Sequence, residues 1–507
     1  MVMGRGFGLV AAVMAMGALG AVACSSTPAP QAVRDAAADE AKGDGGTGAS
    51  ASASAAADAG VDSGAPAATA ARNAPPTREE LIAYLKKSAP KGGNVEATSD
   101  AIKLTHTVAP GETYPVIAAA YLELTEIYAV ADLQRAIEKK NPSLVAGAKV
   151  EIPSVLTRAP RDPREEKLGL PEDKALRALF MTGPFSARKW VESLDKMAAR
   201  GINAVILDAK DYQGPVTYPT KAKIAVEINA AGKPSIPNLA RAIRFAHWRG
   251  IRISLRIPCF HDPWADKKIK DGRLSLKSTA TGLPVHIDWL DPMNTEAQDY
   301  AIELAKEGIE AGADEINLDY VRFPVHITEK FAKMPDPKDR SNAIRDFVRR
   351  VHAETKPAGV LLSLDLFGVT ATGARSDIDR LGQDIATVGP EAEVIMPMVY
   401  PSHYDKGYNG WEHPGDHPEI VGIGTKGAVA QLEKVKSTTV VRAWLQAFAW
   451  RTSIYGTKYV MDQAKSAEAN GGVGWAMWSP SCEYSAVYNG MPVKEKEKEK
   501  EKELAKK

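Results

Sequence analysis

Asp319 closes the apolar run Glu315-Ile316-Asn317-Leu318-Asp319, and Asp365 stands in Ser363-Leu364-Asp365-Leu366. If the two runs are adjacent strands of one sheet, their backbones lie about 4.8 Å apart and the two carboxyl groups project at equal depth. Burial and mutual repulsion then push their pKa values apart, leaving one protonated and one charged. That division suits cleavage of a glycosidic bond, in which the acid protonates the leaving oxygen while the carboxylate attacks or stabilises the sugar carbon. Neighbouring strands favour the retaining separation, roughly 5–5.5 Å, over the wider inverting one. The bland alternative is a pair of structural carboxylates neutralised by Arg256 or Arg322.

Other side chains could bind what the pair acts on. Asp208, Lys210 and Asp211 form "Asp-Ala-Lys-Asp" at a strand end. They could clasp sugar hydroxyls, form a salt-bridged cluster or, with Asp319, hold a hard divalent cation. Arg256, Arg322, His403 and Gln446 offer polar contacts. Tyr400, Tyr404, Trp444 and Trp478 offer flat faces for pyranose rings, or else plug a core. His413 and His417 flank Pro414-Gly415-Asp416, where the proline spoils a helical metal-ligand display, so no metal is assigned. No cofactor is expected. Cys259 and Cys482 could bridge in an oxidising compartment, although they follow non-neighbouring strands.

The elements that must position these residues repeat eight times across residues 168–490. Short apolar strands are read at 175–182, 204–210, 252–259, 315–323, 361–367, 394–400, 440–448 and 472–478, usually followed by an amphipathic helix. Ser186 caps one helix with Trp190, Leu194 and Met197 facing inward, and Gly201 stops it. Ser235 caps another that carries Leu239, Ala242, Ile243 and Ala246 on one face, and Gly250 stops it. Alternating strands and helices specify a parallel sheet covered by helices, and eight strands specify a closed (β/α)8 barrel. No Gly-rich phosphate turn follows the first strand, which argues against an open doubly wound sheet. A polar residue on such a strand must face the lumen, and function gathers at the C-terminal mouth, where the candidates above fall.

The 507 residues call for more than one domain, and 64 Lys plus Arg against 63 Asp plus Glu give no electrostatic case for a nucleic-acid partner. Residues 1–24 read as a lipoprotein signal: Arg5 precedes an apolar stretch ending Ala21-Val22-Ala23-Cys24, which would leave Cys24 lipidated and the protein exported and anchored to a membrane. An ordinary secretory signal is the alternative. Ser25 rather than Asp after the cysteine leans toward an outer membrane. Residues 25–76, rich in Ala, Ser, Gly and Pro, read as a disordered tether. A short helix is expected over 77–87, and the Lys/Glu tail 494–507 is solvated.

Residues 100–155 contain "HTVAPGET" (106–113) and "GAKVEIP" (147–153) around two helical segments, a small βααβ unit. They resemble the LysM domain, which implies binding of N-acetylglucosamine-containing glycans such as peptidoglycan. Extra residues, 122–130, separate the two helices.

The barrel segments resemble a bacterial glycosyl hydrolase-like family of unknown function whose members are predicted glycosidase-type barrels. The matching motifs are "ALFMTG" (178–183), "NAVILDAKDYQGPVTY" (203–218), "WLDPMN" (289–294), "DEINLDYVRFP" (314–324), "SLDLFG" (363–368), "IMPMVYPSHY" (395–404) and "WLQAF" (444–448). The resemblance extends distantly to amylase-like barrels, which implies that Asp319 is the nucleophile. Asp365 stands where those barrels carry a glutamate. A chitinase-like alignment of Asp314 and Asp319 leaves Val321 at the position of the catalytic glutamate, so a chitinase mechanism is not expected. The expectation is an envelope-anchored glycoside hydrolase acting on a cell-wall or extracellular polysaccharide. A non-catalytic glycan-binding lipoprotein is the alternative.

Overall fold

The computed structural model describes residues 76–493 other than 172 and 329, and Pro76 onward forms one compact unit. The signal segment with Cys24, the tether through residue 75 and the tail 494–507 lie outside the described residues.

The small unit opens with a helix, Arg78–Ser88. A reciprocal capping box starts it: Glu80 N donates to Thr77 Oγ1 at 3.2 Å, and Thr77 N donates to the Glu80 carboxylate at 2.7 Å. Gly93–Ala97 (β1), Ile102–Thr107 (β2) and Lys149–Ile152 (β3) form an antiparallel sheet in that order. Helices Tyr114–Tyr121 and Val130–Lys140 lie between β2 and β3, so the expected βααβ order is present, with β1 added at an edge. That strand escapes periodicity because Gly-Asn-Val-Glu-Ala carries one large apolar residue, Val95. Leu104, Ile117, Tyr121, Leu133, Ile137 and Ile152 make the unit's core.

The extra residues 122–130 have a physical role: they dock the small unit on the barrel. The Thr125 and Ile127 carbonyls accept from Arg241 Nη2 at 3.1 and 2.7 Å. The Tyr128 ring packs edge-on against Phe245 at 5.4 Å and lies 6.5 Å from Trp190. Arg241, Phe245 and Trp190 all belong to the barrel's helices.

The barrel closes. Its strands are Leu176–Met181 (β4), Ala204–Asp208 (β5), Arg252–Pro258 (β6), Glu315–Asp319 (β7), Leu361–Phe367 (β8), Val394–Met398 (β9), Val440–Val441 with Trp444–Gln446 (β10 and β11), and Gly474–Trp478 (β12). All pairings are parallel; β8 pairs with β9 and β12 with β4, so no edge remains. The expected continuous seventh strand is split at Arg442-Ala443. There the ladder passes from one neighbour to the other, Arg442 N donating to the Ile395 carbonyl and the Ala443 carbonyl accepting from Ala476 N. The eighth strand begins two residues late, at Gly474. Its φ is +73°, and a Cβ there would stand 2.2 Å from the Leu176 carbonyl oxygen.

The covering helices bury the predicted faces but start elsewhere. Thr182, not Ser186, caps Gly183–Ala198 by accepting from Phe185 N; Ser186 is buried in the first turn and donates to the Gly183 carbonyl. Asn238, not Ser235, caps Leu239–His247 by accepting from Arg241 N. Among the described residues no helix is long and apolar enough to cross a membrane.

Low in the lumen, Glu315 accepts from Ser254, Ser363 and Arg442, the last at 2.8 Å, in a fully buried cluster. These polar groups satisfy one another beneath the mouth. Asp314, at the opposite end from the mouth, pairs with His247 Nε2 and accepts from the Leu168 and Ile253 amides. It is structural.

Candidate active site at the C-terminal mouth

Register decides which side chains meet. Asp208 pairs with Arg256 across β5 and β6, Arg256 with Asn317 across β6 and β7, and Asn317 with Ser363 across β7 and β8. Asp319 and Asp365 each lie two residues further, at equal height. Three carboxylates therefore surround one guanidinium. Arg256 Nε donates to Asp319 Oδ2 at 3.0 Å and its Nη2 reaches the same oxygen. Nη1 donates to Asp208 Oδ1 at 2.6 Å, and Asp365 Oδ2 lies 3.9 Å from Nε. The Asp319 and Asp365 Oδ2 atoms thus touch a common nitrogen and are no further apart than those two contacts combined.

The three acids are not equivalent. Asp319 has its Oδ2 on Arg256, and its Oδ1 accepts from the Tyr320 amide at 2.6 Å, so both oxygens are held by donors. Asp365 is 1% exposed; its Oδ1 accepts from Asn317 Nδ2 at 2.9 Å and Trp444 Nε1 at 2.7 Å. Burial, reinforced by the Asp319 charge, raises its pKa well above the ordinary carboxylate range. Burial also pushes Asp208 up to about 7, against the pull of Arg256. Two carboxyls with raised pKa values and a third held by donors on both oxygens share a single cation.

Aromatic rings rim the cluster on two sides. Tyr400 packs on Trp478 at 5.5 Å and on His403 at 5.1 Å, with Phe448 edge-on to Trp478. Burial and the nearby Asp365 and Asp319 charges drive the Tyr400 phenol well above its usual pKa. On the other side Tyr320, held at φ +50°, stacks on His261 at 4.9 Å. Arg322 lies among Trp289, Tyr320 and Phe367.

Several candidates point elsewhere. β5 ends at Asp208, so strand alternation no longer governs Lys210. Its Nζ turns to Asp262 Oδ2 at 2.7 Å and the Pro258 carbonyl, over the Tyr300 ring of a covering helix. It is a buried ion pair, not a sugar ligand. Gln446 is 0% exposed, and its amide is consumed by Ser402 N and the Phe448 and Trp450 carbonyls. Trp444 is buried against Phe180 and orients Asp365 instead of offering a platform. Tyr404 is buried beside Tyr408. Asp211 is half-buried on the following loop and accepts from Gln213 N.

The guanidinium of Arg256 sits between Asp208 and Asp319, where a divalent ion would have to go. Among the described residues no group of acidic, His or Cys side chains is arranged to hold a metal. His417 stacks on Trp411 at 4.1 Å. Cys259 and Cys482 are buried free thiols, so the bridge considered between them is not formed. Sequence reasoning missed Tyr320, His261, Trp289, Phe367 and Phe448. Tyr320 and Phe367 were nonetheless signalled by their positions one and two residues past the two aspartates.

A closed parallel barrel with acids converging at its C-terminal mouth defines a glycosidase-like barrel protein. Residues 178–484 match the model of the family DUF4015, described as "Putative glycosyl hydrolase domain", and the chain belongs to that family. Among solved structures it is similar to the glycoside hydrolase domain of PgaB (BpsB) from Bordetella bronchiseptica, at 14% identity over 63% of this chain and 99% of that one, with a TM-score of 0.46. A hypothetical protein from Ruminiclostridium thermocellum ATCC 27405 is 31% identical over 37% of this chain and 96% of that one, with a TM-score of 0.32. The spore cortex-lytic enzyme SleL of Bacillus megaterium QM B1551 is 11% identical over 76% of this chain and 85% of that one, with a TM-score of 0.38. A search of the curated proteins found no match.

Proposed function

We propose that the protein hydrolyses glycosidic bonds of a cell-wall or extracellular polysaccharide, with Asp319 as nucleophile or charge stabiliser and Asp365 as acid/base. The observation that carries this is the unequal holding of the two acids around Arg256: Asp319 is bound through both oxygens by donors, while Asp365 is buried with its pKa pushed well above the ordinary carboxylate range, which favours its protonated form. Because Asn317 and Trp444 occupy Asp365 Oδ1, Oδ2 is the oxygen that carries and donates that proton. Asp208, Tyr400, His403 and Trp478 hold the sugar. The unit at 100–155 contributes LysM-like glycan binding, and lipidated Cys24 keeps the molecule at the cell envelope. Asp319→Asn should leave the melting temperature within a few degrees of wild type and reduce the release of new reducing ends to background. A variant that cleaves normally removes the assignment.

A second reading, glycan binding without cleavage, is favoured by one observation: Asp365 is only 1% exposed. Retention of the full chain on purified sacculi with no soluble product by mass spectrometry would select it.

A further inference from the structure

Arg322 is a buried cation with no carboxylate in ion-pair contact among the described residues. It is 5% exposed, and among the described residues its hydrogen bond runs from Nη1 to the Phe323 carbonyl at 3.0 Å. The other two lumen arginines meet carboxylates directly, Arg256 with Asp208 and Asp319, and Arg442 with Glu315. Around Arg322 there are rings instead. Its guanidinium carbon lies 4.3 Å from the Phe367 centroid, 4.5 Å from Trp289 and 5.5 Å from Tyr320. Cation–π attraction and the more distant Asp319 charge offset part of the desolvation, but burial still brings its pKa down to about 10. A charge kept at that cost with no carboxylate in contact with it is poised for an external one.

Its place and geometry define that counter-ion. Tyr320 directly follows Asp319, and Phe367 lies two residues past Asp365, so the cage shares its walls with the carboxylate cluster. With Nη1 committed, the Nε–Nη2 edge is the side of the fork that accepts a planar two-oxygen anion. Tyr212, His261 and Tyr320 stack in sequence at 6.1 and 4.9 Å beside it, and Tyr212, exposed at the end of the stack, is the ring left open to a sugar. His261 Nδ1 is taken up by the Tyr212 carbonyl, and burial lowers its pKa, so it adds no second positive charge.

We propose that Arg322 receives a carboxylate on the bound glycan, so that the substrate carries an acidic, uronate-type sugar next to the scissile bond. The carrier's identity as a glycan rests on the function proposed above; the anion receptor stands on the cage itself.

Titration calorimetry of the full chain tests this with glucuronate- and galacturonate-containing hexasaccharides and their carboxyl-reduced counterparts. At least one acidic form should bind tenfold or more tightly than its reduced form, and weaken as salt rises. Arg322→Gln should erase the preference and Arg322→Lys restore part of it. Both variants should keep the wild-type melting temperature, since glutamine retains a donor for Phe323 and removes an uncompensated charge. Equal binding of acidic and reduced forms, no binding by any acidic form at millimolar concentration, or a fall of several degrees in both variants overturns the assignment. Tighter binding of a glycerol-phosphate polymer than of any uronate overturns it in favour of a phosphate. Binding separates the two readings: acidic glycans bound but never cut defeat the hydrolase and leave Arg322 in place, whereas neutral glycans cut with an unchanged KM in Arg322→Gln do the reverse.

Discussion

Arg256 does two jobs with one charge. Its paired contacts hold Asp319 through Oδ2, and its Nη1 donates to Asp208, while Asp365 stays at 3.9 Å. The hydrolytic reading therefore predicts that kcat/KM falls on the alkaline side. The alkaline limb falls as the raised Asp365 group gives up its proton. An alkaline limb that persists unaltered in Asp365→Asn would contradict that role. Asp208 makes a separate prediction about stability. Its carboxyl stands at about 7 in the folded chain, against about 3.9 for an unfolded aspartate, so between those values the folded state holds a proton that the unfolded state lacks. Its contribution is complete below about pH 4 and is lost as pH rises through 7. Relative to Asp208→Asn, wild type should lose up to about 1.4 kcal/mol per pH unit across that window, read from urea midpoints. Parallel curves would show that Asp208 ionises normally.

At the scale of elements, the barrel and its polar mouth were legible because strand alternation puts Asp208, Arg256, Asn317, Asp319 and Asp365 on one face. The misreadings came where alternation ends or the chain bends. Lys210 lies past the last ladder residue of β5 and turns to Asp262, and Gln446 answers loop amides and carbonyls that a one-dimensional pattern does not contain. Helix faces were read correctly while their caps were not, since Ser186 and Ser235 have the right chemistry but Thr182 and Asn238 have the backbone position. Gly474 marks where β12 can begin. Gly474→Ala puts a methyl group against the Leu176 carbonyl at a positive φ, and should destabilise the barrel by about 2 kcal/mol or more in denaturant titration. A loss below about 0.5 kcal/mol would mean that the closure there is slack.

At the scale of the molecule, the small unit and the barrel meet through a specific set of residues. Arg241, 2% exposed, ties the Thr125 and Ile127 carbonyls to the barrel, and Tyr128 packs between barrel rings. Arg241→Ala leaves those carbonyls without their donor and should cost about 1–3 kcal/mol. Calorimetry should show one transition in wild type and an earlier, separate melting of the small unit in the variant. A single unshifted transition would show that the docking residues carry no coupling. The extra length 122–130 between the two helices could be seen in the sequence, but its purpose could not, because its partners Trp190, Arg241 and Phe245 lie far along the chain, on the barrel's outer helices.

The division of labour between the two aspartates is tested most directly by comparing Asp319→Asn and Asp365→Asn on the natural glycan and on an activated aryl glycoside of the sugar it releases. Such a leaving group needs no proton. Asp365→Asn should lose about 10²–10⁴-fold on the glycan yet turn over the aryl glycoside readily, while Asp319→Asn should fail on both. Equal losses for both variants on both substrates, or normal turnover by Asp319→Asn, would contradict the assignment.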